Sequence, residues 1–122
     1  MFGYDKSIKA DAFDPERAKQ LLAEAGYPNG FQLTIHGPND RYVNDGKITE
    51  TIGQMLTKAG IKTQVHTEPK ATFFKNAWGY SLVLLGFGSD TGEASSGFTA
   101  LLHTPFKEKN LGRVNRTGYA NP

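Results

Sequence analysis

Residues 14–35, DPERAKQLLAEAGYPNGFQLTI, predict a capped helix, a tight turn and then a strand. Asp14 can accept the free amide hydrogens of a first helical turn, and Pro15 suits the first helical position, where its missing N–H would have no partner. Gly26 can take the left-handed conformation that ends a helix. One helical face carries the apolar residues Ala18, Leu21, Leu22 and Ala25. Residues 31–36 then alternate between apolar and polar side chains, which is typical of a half-buried strand.

The rest of the chain continues this alternation of helices and strands. After a loop over residues 37–46, the pattern predicts a helix near 45–59, a strand at 61–67, a short helix at 70–77, a strand at 80–86 and a helix near 93–102. The second helix has an apolar stripe of Ile48, Ile52, Met55, Leu56 and Ala59. Such an order predicts an α/β fold, a small mainly parallel sheet flanked by helices on both faces. The nearly continuous apolar run YSLVLLG at 80–86 is expected to be the most buried strand.

Composition limits the function classes. At 122 residues we expect a single domain, 1–122, and the irregular segments at both ends suggest part of a larger protein. The 14 basic and 12 acidic residues are balanced and scattered, so no nucleic-acid partner is expected. Cysteine is absent, which excludes disulfides and thiol chemistry. No apolar run approaches the roughly 20 residues of a membrane span, and Asp5 and Asp11 interrupt the apolar core that a signal peptide needs.

Two histidines lie at matching positions of two predicted strands. His36 and His66 share parity, so they can stand side by side in a parallel sheet, and Glu68 can complete a metal site. The simpler interpretation is two half-exposed surface histidines, since two histidines without a fixed third ligand are a weak signal. We therefore predict no metal site and no cofactor.

The run GFGSDTG, residues 86–92, leaves a strand and precedes a helix. Its third glycine comes one residue too late for a dinucleotide-binding loop. The run nevertheless places Asp90 at the carboxyl end of a strand, the edge where open α/β sheets bind ligands. Asp90 could either contact a ligand or only cap the following helix, and the sequence does not distinguish these two roles.

Arg41 and Tyr42 lie in the loop after the first strand, which opens at the same edge of a parallel sheet. An arginine there can hold a carboxylate with two hydrogen bonds, and an adjacent aromatic ring can pack on a ligand. The alternative is a solvated loop arginine. Of the aromatic residues, Phe87 directly follows the apolar strand and is the one most open to a ligand role.

Five segments in order resemble landmarks of the family 5 extracytoplasmic solute-binding proteins, the peptide, dipeptide and nickel receptors of ABC importers. They are DPERAKQLLAEAGYPNGF, GPNDRY, IGQMLTKAGIKTQV, LLGFGSDTGEASS and NRTGYANP. The resemblance implies a type II periplasmic-binding-protein-like lobe, with this chain as an internal part of the C-terminal lobe of a longer two-lobed protein. It also implies a periplasmic or extracytoplasmic location, a small peptide or similar zwitterionic solute as ligand, and a membrane permease as partner.

The resemblance further implies roles for particular residues. Peptide-binding members carry a G-W-x-x-D element whose acid pairs with the ligand ammonium group, and Gly86, Phe87 and Asp90 occupy that pattern, with phenylalanine in place of tryptophan. Dipeptide-type members hold the ligand carboxylate with an arginine in the loop after the first strand of this lobe, which Arg41 matches, with Tyr42 beside it. No bond of the ligand is broken, so the family is not enzymatic.

Two other hypotheses belong to different classes. A small metal-dependent or hydrolytic α/β enzyme would need a nucleophile–base pair, for which Ser89 and His103 are the only candidates, but Ser89 lacks a G-x-S-x-G elbow. A structural module could pair its open sheet edge with a partner strand. We expect the isolated chain to be a monomer or weak dimer.

Overall fold

The computed structural model describes residues 5–89, 92–115 and 118–120. It divides into two compact units, one formed by Asp11–Leu85 and the other by Met1–Ala10 with Gly86–Pro122. The single domain expected over 1–122 stays a prediction.

The Asp11–Leu85 unit contains the predicted alternation of helices and strands. Its elements are α1 (Pro15–Glu24), β1 (Gln32–Pro38), α2 (Asp45–Lys58), β2 (Lys62–Glu68), α3 (Lys70–Asn76), a 3₁₀ turn (Ala77–Gly79) and β3 (Leu82–Val83). The side chain of Asp14 caps α1 by accepting the backbone N–H of Arg17 at 2.9 Å. Gly26, with φ of +89°, follows the end of the helix as predicted.

The three strands form one parallel sheet in the order β2–β1–β3. This confirms the α/β class but corrects the expected position of the most buried strand. β3 is an edge strand of two residues, and β1 is central, with Ile35 only 2% exposed. The apolar run at 80–86 led to the wrong prediction because apolar side chains indicate that the two faces of a strand are covered. A strand is central in a sheet only when it pairs with a neighbour along both of its edges.

Helices cover both faces of the sheet, as expected. On one face, Gly53 of α2 lies against the side chains of Thr63, Val65 and Ile35. On the other, the Tyr80 ring stacks on His36 and lies 6.5 Å from the ring of the buried Phe73 in α3. The chain passes from β1 to β2 and then back across β1 to β3. Right-handed crossovers that run in opposite directions place their connecting helices, here α2 and α3, on opposite faces of the sheet.

The most buried side of α2 coincides only in part with its apolar stripe. The buried residues of α2 are Asp45, Thr49 and Gly53, whereas Ile48 and Met55 remain 43% and 46% exposed. Gly53 lets the helix approach the sheet closely. The three other residues of the stripe are half-buried, so only its edge at Ile48 and Met55 is exposed.

The unit containing Gly86–Pro122 has short elements. The helix expected at 93–102 appears as α4 (Ala94–Gly97), continued by a π-helical segment (Phe98–Leu102). A 3₁₀ turn follows at Lys107–Lys109. The buried Asn115 donates hydrogen bonds to the carbonyls of His103 and Tyr119, at 3.1 and 2.7 Å. None of the helices formed by the described residues is long and apolar enough to cross a membrane.

Candidate functional site

Arg41 and Tyr42 lie in the loop between β1 and α2, at the carboxyl edge of the sheet. Arg41 is exposed, and its guanidinium carbon lies 5.4 Å from the centroid of the Tyr42 ring. Within the described residues, no carboxylate lies within ion-pair distance of Arg41. The structure therefore brings these two predicted residues together and leaves the guanidinium facing solvent.

The backbone of this loop is held by Asp45, a residue whose role sequence analysis missed. The buried Asp45 carboxylate accepts the backbone N–H groups of Arg41 and Tyr42 at 2.8 and 2.9 Å through one oxygen, and that of Gly46 at 2.8 Å through the other. These hydrogen bonds, first that from Tyr42, lower the pKa of Asp45. The position of Asp45 at the start of a predicted helix could have indicated this role, since a carboxylate there accepts hydrogen bonds from free backbone N–H groups.

A second set of hydrogen bonds ties the same loop to the end of β2. Asn39 donates its backbone N–H to the carbonyl of Glu68 at 3.0 Å, and the Asp40 carboxylate accepts the backbone N–H of Lys70 at 2.6 Å. The loop is thus fixed before and after Arg41. A fixed backbone reduces the conformational entropy that a ligand contact must overcome.

The other predicted ligand residues belong to the unit that contains Gly86–Pro122. Gly86 and Phe87 are exposed there, while Asp90 lies outside the described residues. Phe87 and Arg113 both line a cavity of about 200 Å³ in this unit. Arg113, an exposed cation that lines the same cavity as Phe87, was missed by sequence analysis because it lies in a segment without periodicity.

The nucleophile–base pair needed for a hydrolase is not formed within the described residues. Ser89 Oγ donates to the carbonyl of Glu93 at 2.9 Å and accepts from Ser96 Oγ at 2.8 Å. The His103 ring instead places Nδ1 2.7 Å from the carbonyl oxygen of Thr104. The Ser89 hydroxyl proton is therefore directed to the carbonyl of Glu93 and not to the His103 ring.

The two histidines on β1 and β2 do lie side by side. His36 and His66 are register partners with ring centroids 5.2 Å apart, and Glu68 ends the same strand as His66. Burial lowers the pKa of the His36 imidazole, and the neighbouring His66 lowers it further against the opposing effect of Glu68. These three residues are the group of potential metal ligands found within the described parts of the chain.

The sequence model of the family described as "Bacterial extracellular solute-binding proteins, family 5 Middle" matches residues 1–109. The chain belongs to this family. The resemblance inferred from the five sequence segments is therefore confirmed.

Among curated relatives, heme-binding protein A of Haemophilus influenzae is 33% identical over 129 aligned residues, covering 99% of this chain and 22% of that protein. The chain thus spans about a fifth of the length of this relative. The glutathione-binding protein GsiB of Escherichia coli is 40% identical over 62 residues, covering 51% of this chain and 12% of that protein.

A solved structure of an ABC transporter-associated periplasmic binding protein shares the fold over nearly the whole chain. The periplasmic binding protein DppA of Helicobacter pylori, in complex with the peptide STSA, has a TM-score of 0.81 and 26% identity, covering 98% of this chain and 23% of that one. The likeness confirms the small parallel sheet with helices as part of the periplasmic binding protein fold. That neighbour binds a peptide.

Proposed function

We propose that this chain is a ligand-binding part of the C-terminal lobe of an ABC-importer solute-binding protein that takes short peptides or similar zwitterionic solutes. The observation that carries the proposal is the family match over residues 1–109 together with the fold shared with a peptide-bound protein. In this proposal the protein is not an enzyme, works outside the cytoplasm and passes its ligand to a membrane permease.

Arg41 is proposed to bind the ligand carboxylate. Its guanidinium is exposed at the carboxyl edge of the sheet, and the Asp45 carboxylate fixes its backbone. Two parallel N–H donors of a guanidinium match the two oxygens of a carboxylate. Tyr42, within cation–π distance of Arg41, provides a flat surface on which a ligand can pack.

Asp90, Gly86 and Phe87 are proposed, from their match to the family's G-W-x-x-D element, to serve the ammonium end of the ligand. A carboxylate pairs with an ammonium group, and a glycine permits close approach of the ligand to the backbone. Phe87 also lines the cavity that contains Arg113, and an aromatic ring beside a cavity can contact a ligand side chain.

Closure of a second lobe is proposed to complete the site. Removing water strengthens the contacts of Arg41 and Asp90 with the ligand charges, at a desolvation cost that favourable geometry must offset. Hinge closure of this kind is a general property of periplasmic receptors.

The proposal is tested by adding the peptide STSA to the isotope-labelled 122-residue chain and following the backbone amides by NMR. We expect small chemical-shift changes for the amides of residues 39–46 that saturate at high peptide concentration. These changes should disappear when the peptide carboxylate is amidated. Arg41→Gln should abolish the shifts. Arg17→Gln serves as the control, because Arg17 is an exposed arginine of α1 that pairs with Glu24.

Chemical-shift changes in residues 39–46 that are unaffected by amidation of the peptide or by Arg41→Gln would contradict the role of Arg41. Cleavage of the peptide during the titration, detected by mass spectrometry, would favour the hydrolase instead. No amide shift at any peptide concentration would contradict the peptide-binding function of this lobe.

A further inference from the structure

The parallel register of β1 and β2 brings three potential metal ligands onto one side of the sheet. His36 pairs with His66 across the two strands, and Glu68 follows His66 by two residues, so its side chain emerges on the same face. One ligand atom from each of the three lies within 4.8 Å of the other two. A sheet places such residues more rigidly than a loop would.

The donor set is that of a transition-metal site. Two imidazole nitrogens and one carboxylate oxygen are typical ligands of Zn²⁺, and three protein ligands leave a fourth position open for water or a solute. In a tetrahedral site with bonds of roughly 2.1 Å, ligand atoms lie about 3.4 Å apart. The ligand atoms must therefore move closer together than the 4.8 Å within which they lie here. Rotation of the exposed His66 side chain can bring its ring nitrogen closer to the other two ligands.

An independent observation concerns His36. Its Nδ1 atom is buried and has no hydrogen-bond partner within the described residues. Most buried polar atoms of native proteins have a partner, so an exception calls for an explanation. A metal ion bound at this nitrogen would provide the partner that protein groups do not.

Tyr80 positions two of the three ligands. Its hydroxyl donates a hydrogen bond of 2.7 Å to Oε1 of the buried Glu68, and its ring stacks on that of His36 with centroids 3.6 Å apart and planes inclined by 9°. Partners of this kind fix the orientation of metal ligands. Tyr80 thus holds Glu68 and His36 in place while the second carboxylate oxygen of Glu68 remains available.

We propose that His36, His66 and Glu68 bind a divalent transition-metal ion of the Zn²⁺ class, with Tyr80 as a positioning residue. The proposal replaces the sequence-based prediction of no metal site, because the structure groups the three ligands and leaves Nδ1 of His36 buried without a partner among the described residues. It concerns only the Asp11–Leu85 unit and does not depend on peptide binding. The open coordination position makes the site a contact point for a solute group that can bind a metal.

The test is calorimetric titration of the 122-residue chain with Zn²⁺ near neutral pH, together with the visible absorption spectrum of the Co²⁺-loaded chain. We expect one-to-one binding and a tetrahedral Co²⁺ spectrum. His66→Ala and Glu68→Gln should each weaken Zn²⁺ binding by more than about tenfold. Glu68→Gln retains an oxygen that accepts the Tyr80 hydrogen bond, and His66 is exposed, so both variants should remain folded by circular dichroism.

His103→Ala is the matched control, because His103 is an exposed histidine, its Nδ1 lies 2.7 Å from the carbonyl oxygen of Thr104, and it is not one of the three grouped ligands. It should leave Zn²⁺ affinity unchanged. Tyr80→Phe keeps the ring but removes the hydroxyl, and should weaken Zn²⁺ binding about 10- to 100-fold while the tetrahedral Co²⁺ spectrum is retained. Absence of one-to-one binding, or equal affinities of the wild-type chain and His66→Ala, would overturn the proposal.

Discussion

At the scale of single residues, Asp45 connects the fold to the candidate ligand site. Its carboxylate accepts three backbone N–H groups, two of them from Arg41 and Tyr42. The residue before it, Asn44, adopts a left-handed conformation with φ of +57° and makes no side-chain capping bond. Asp45 therefore replaces the ordinary cap of α2 and shapes the loop that presents Arg41.

We predict that Asp45 makes the stability of this unit depend on acid pH. Hydrogen bonds, first from Tyr42, lower the folded-state pKa of Asp45 below 3.8. A lowered pKa stabilises the folded state above the unfolded-state pKa, and this stability is lost as pH falls through the folded-state pKa. Urea unfolding of Asp45→Asn should therefore show a lower midpoint at pH 7 and a smaller loss of stability between pH 5 and pH 2, roughly the range in which such carboxylates titrate.

Asp11→Asn is the control for this measurement, since Asp11 is exposed. It should reproduce the wild-type midpoints at both ends of the pH range. Identical acid profiles for Asp45→Asn and the wild-type chain would show that the Asp45 carboxylate does not contribute to the stability of the loop.

A second prediction at this scale concerns Gly37, where β1 meets α2. A Cβ atom at Gly37 would lie 2.5 Å from Oγ1 and 3.2 Å from Cγ2 of the fully buried Thr49. Gly37→Ala should therefore destabilise the chain by about 1–3 kcal/mol in urea unfolding. Gly46→Ala, in open space near the start of α2, should instead stabilise it by roughly 0.5–1 kcal/mol. Equal effects of the two substitutions would contradict the close packing of α2 on β1.

At the scale of elements, local signals predicted most of the Asp11–Leu85 unit. The Asp14–Pro15 pair and Gly26 define the ends of α1 because capping is a local interaction. The parity of His36 and His66 predicted their pairing, since side chains in a strand alternate with a period of two. These inferences needed only residues adjacent in sequence or in register.

Features that depend on tertiary packing could not be predicted in this way. The centre of the sheet is β1 rather than the apolar run near β3, because strand order depends on the direction of each crossover. The most buried contacts of α2 are made by Thr49 and Gly53 and not by the large residues of its apolar stripe, because close approach favours small residues. Of the candidate site, the pairing of Arg41 with Tyr42 was predictable from adjacency, whereas Arg113 in its cavity was not.

The element α3 is predicted to depend on one side chain. Phe73 is fully buried, lies 5.2 Å from the ring of Phe74 and 6.5 Å from that of Tyr80, and so joins α3 to the face of the sheet that carries His36. Phe73→Ala should cost about 3–5 kcal/mol of unfolding free energy because it leaves a cavity. The same substitution at Phe13, which is 68% exposed, should change stability by less than about 0.5 kcal/mol. Urea unfolding followed by circular dichroism measures both, and a small effect at Phe73 would refute its structural role.

At the scale of the whole molecule, the chain spans only part of the proteins that it is similar to. It covers 22% of heme-binding protein A of Haemophilus influenzae and 23% of the peptide-bound DppA chain. Ile48 and Met55 of α2 are exposed apolar residues, and Arg41 is exposed to solvent. Both features are consistent with a proposed role as one part of a larger binding protein.

We therefore predict that the 122-residue chain binds the peptide STSA only weakly. Micromolar affinity corresponds to about −8.2 kcal/mol of binding free energy. An exposed ion pair contributes only about 0–1 kcal/mol, since water screens it, so Arg41 and one other charge fall far short of that value. Isothermal titration calorimetry should detect no micromolar binding, whereas the full-length DppA of Helicobacter pylori, the solved complex of which contains STSA, provides the positive control. Micromolar affinity of the 122-residue chain would mean that closure by a second lobe is not needed and would refute the proposed division of the site between two lobes.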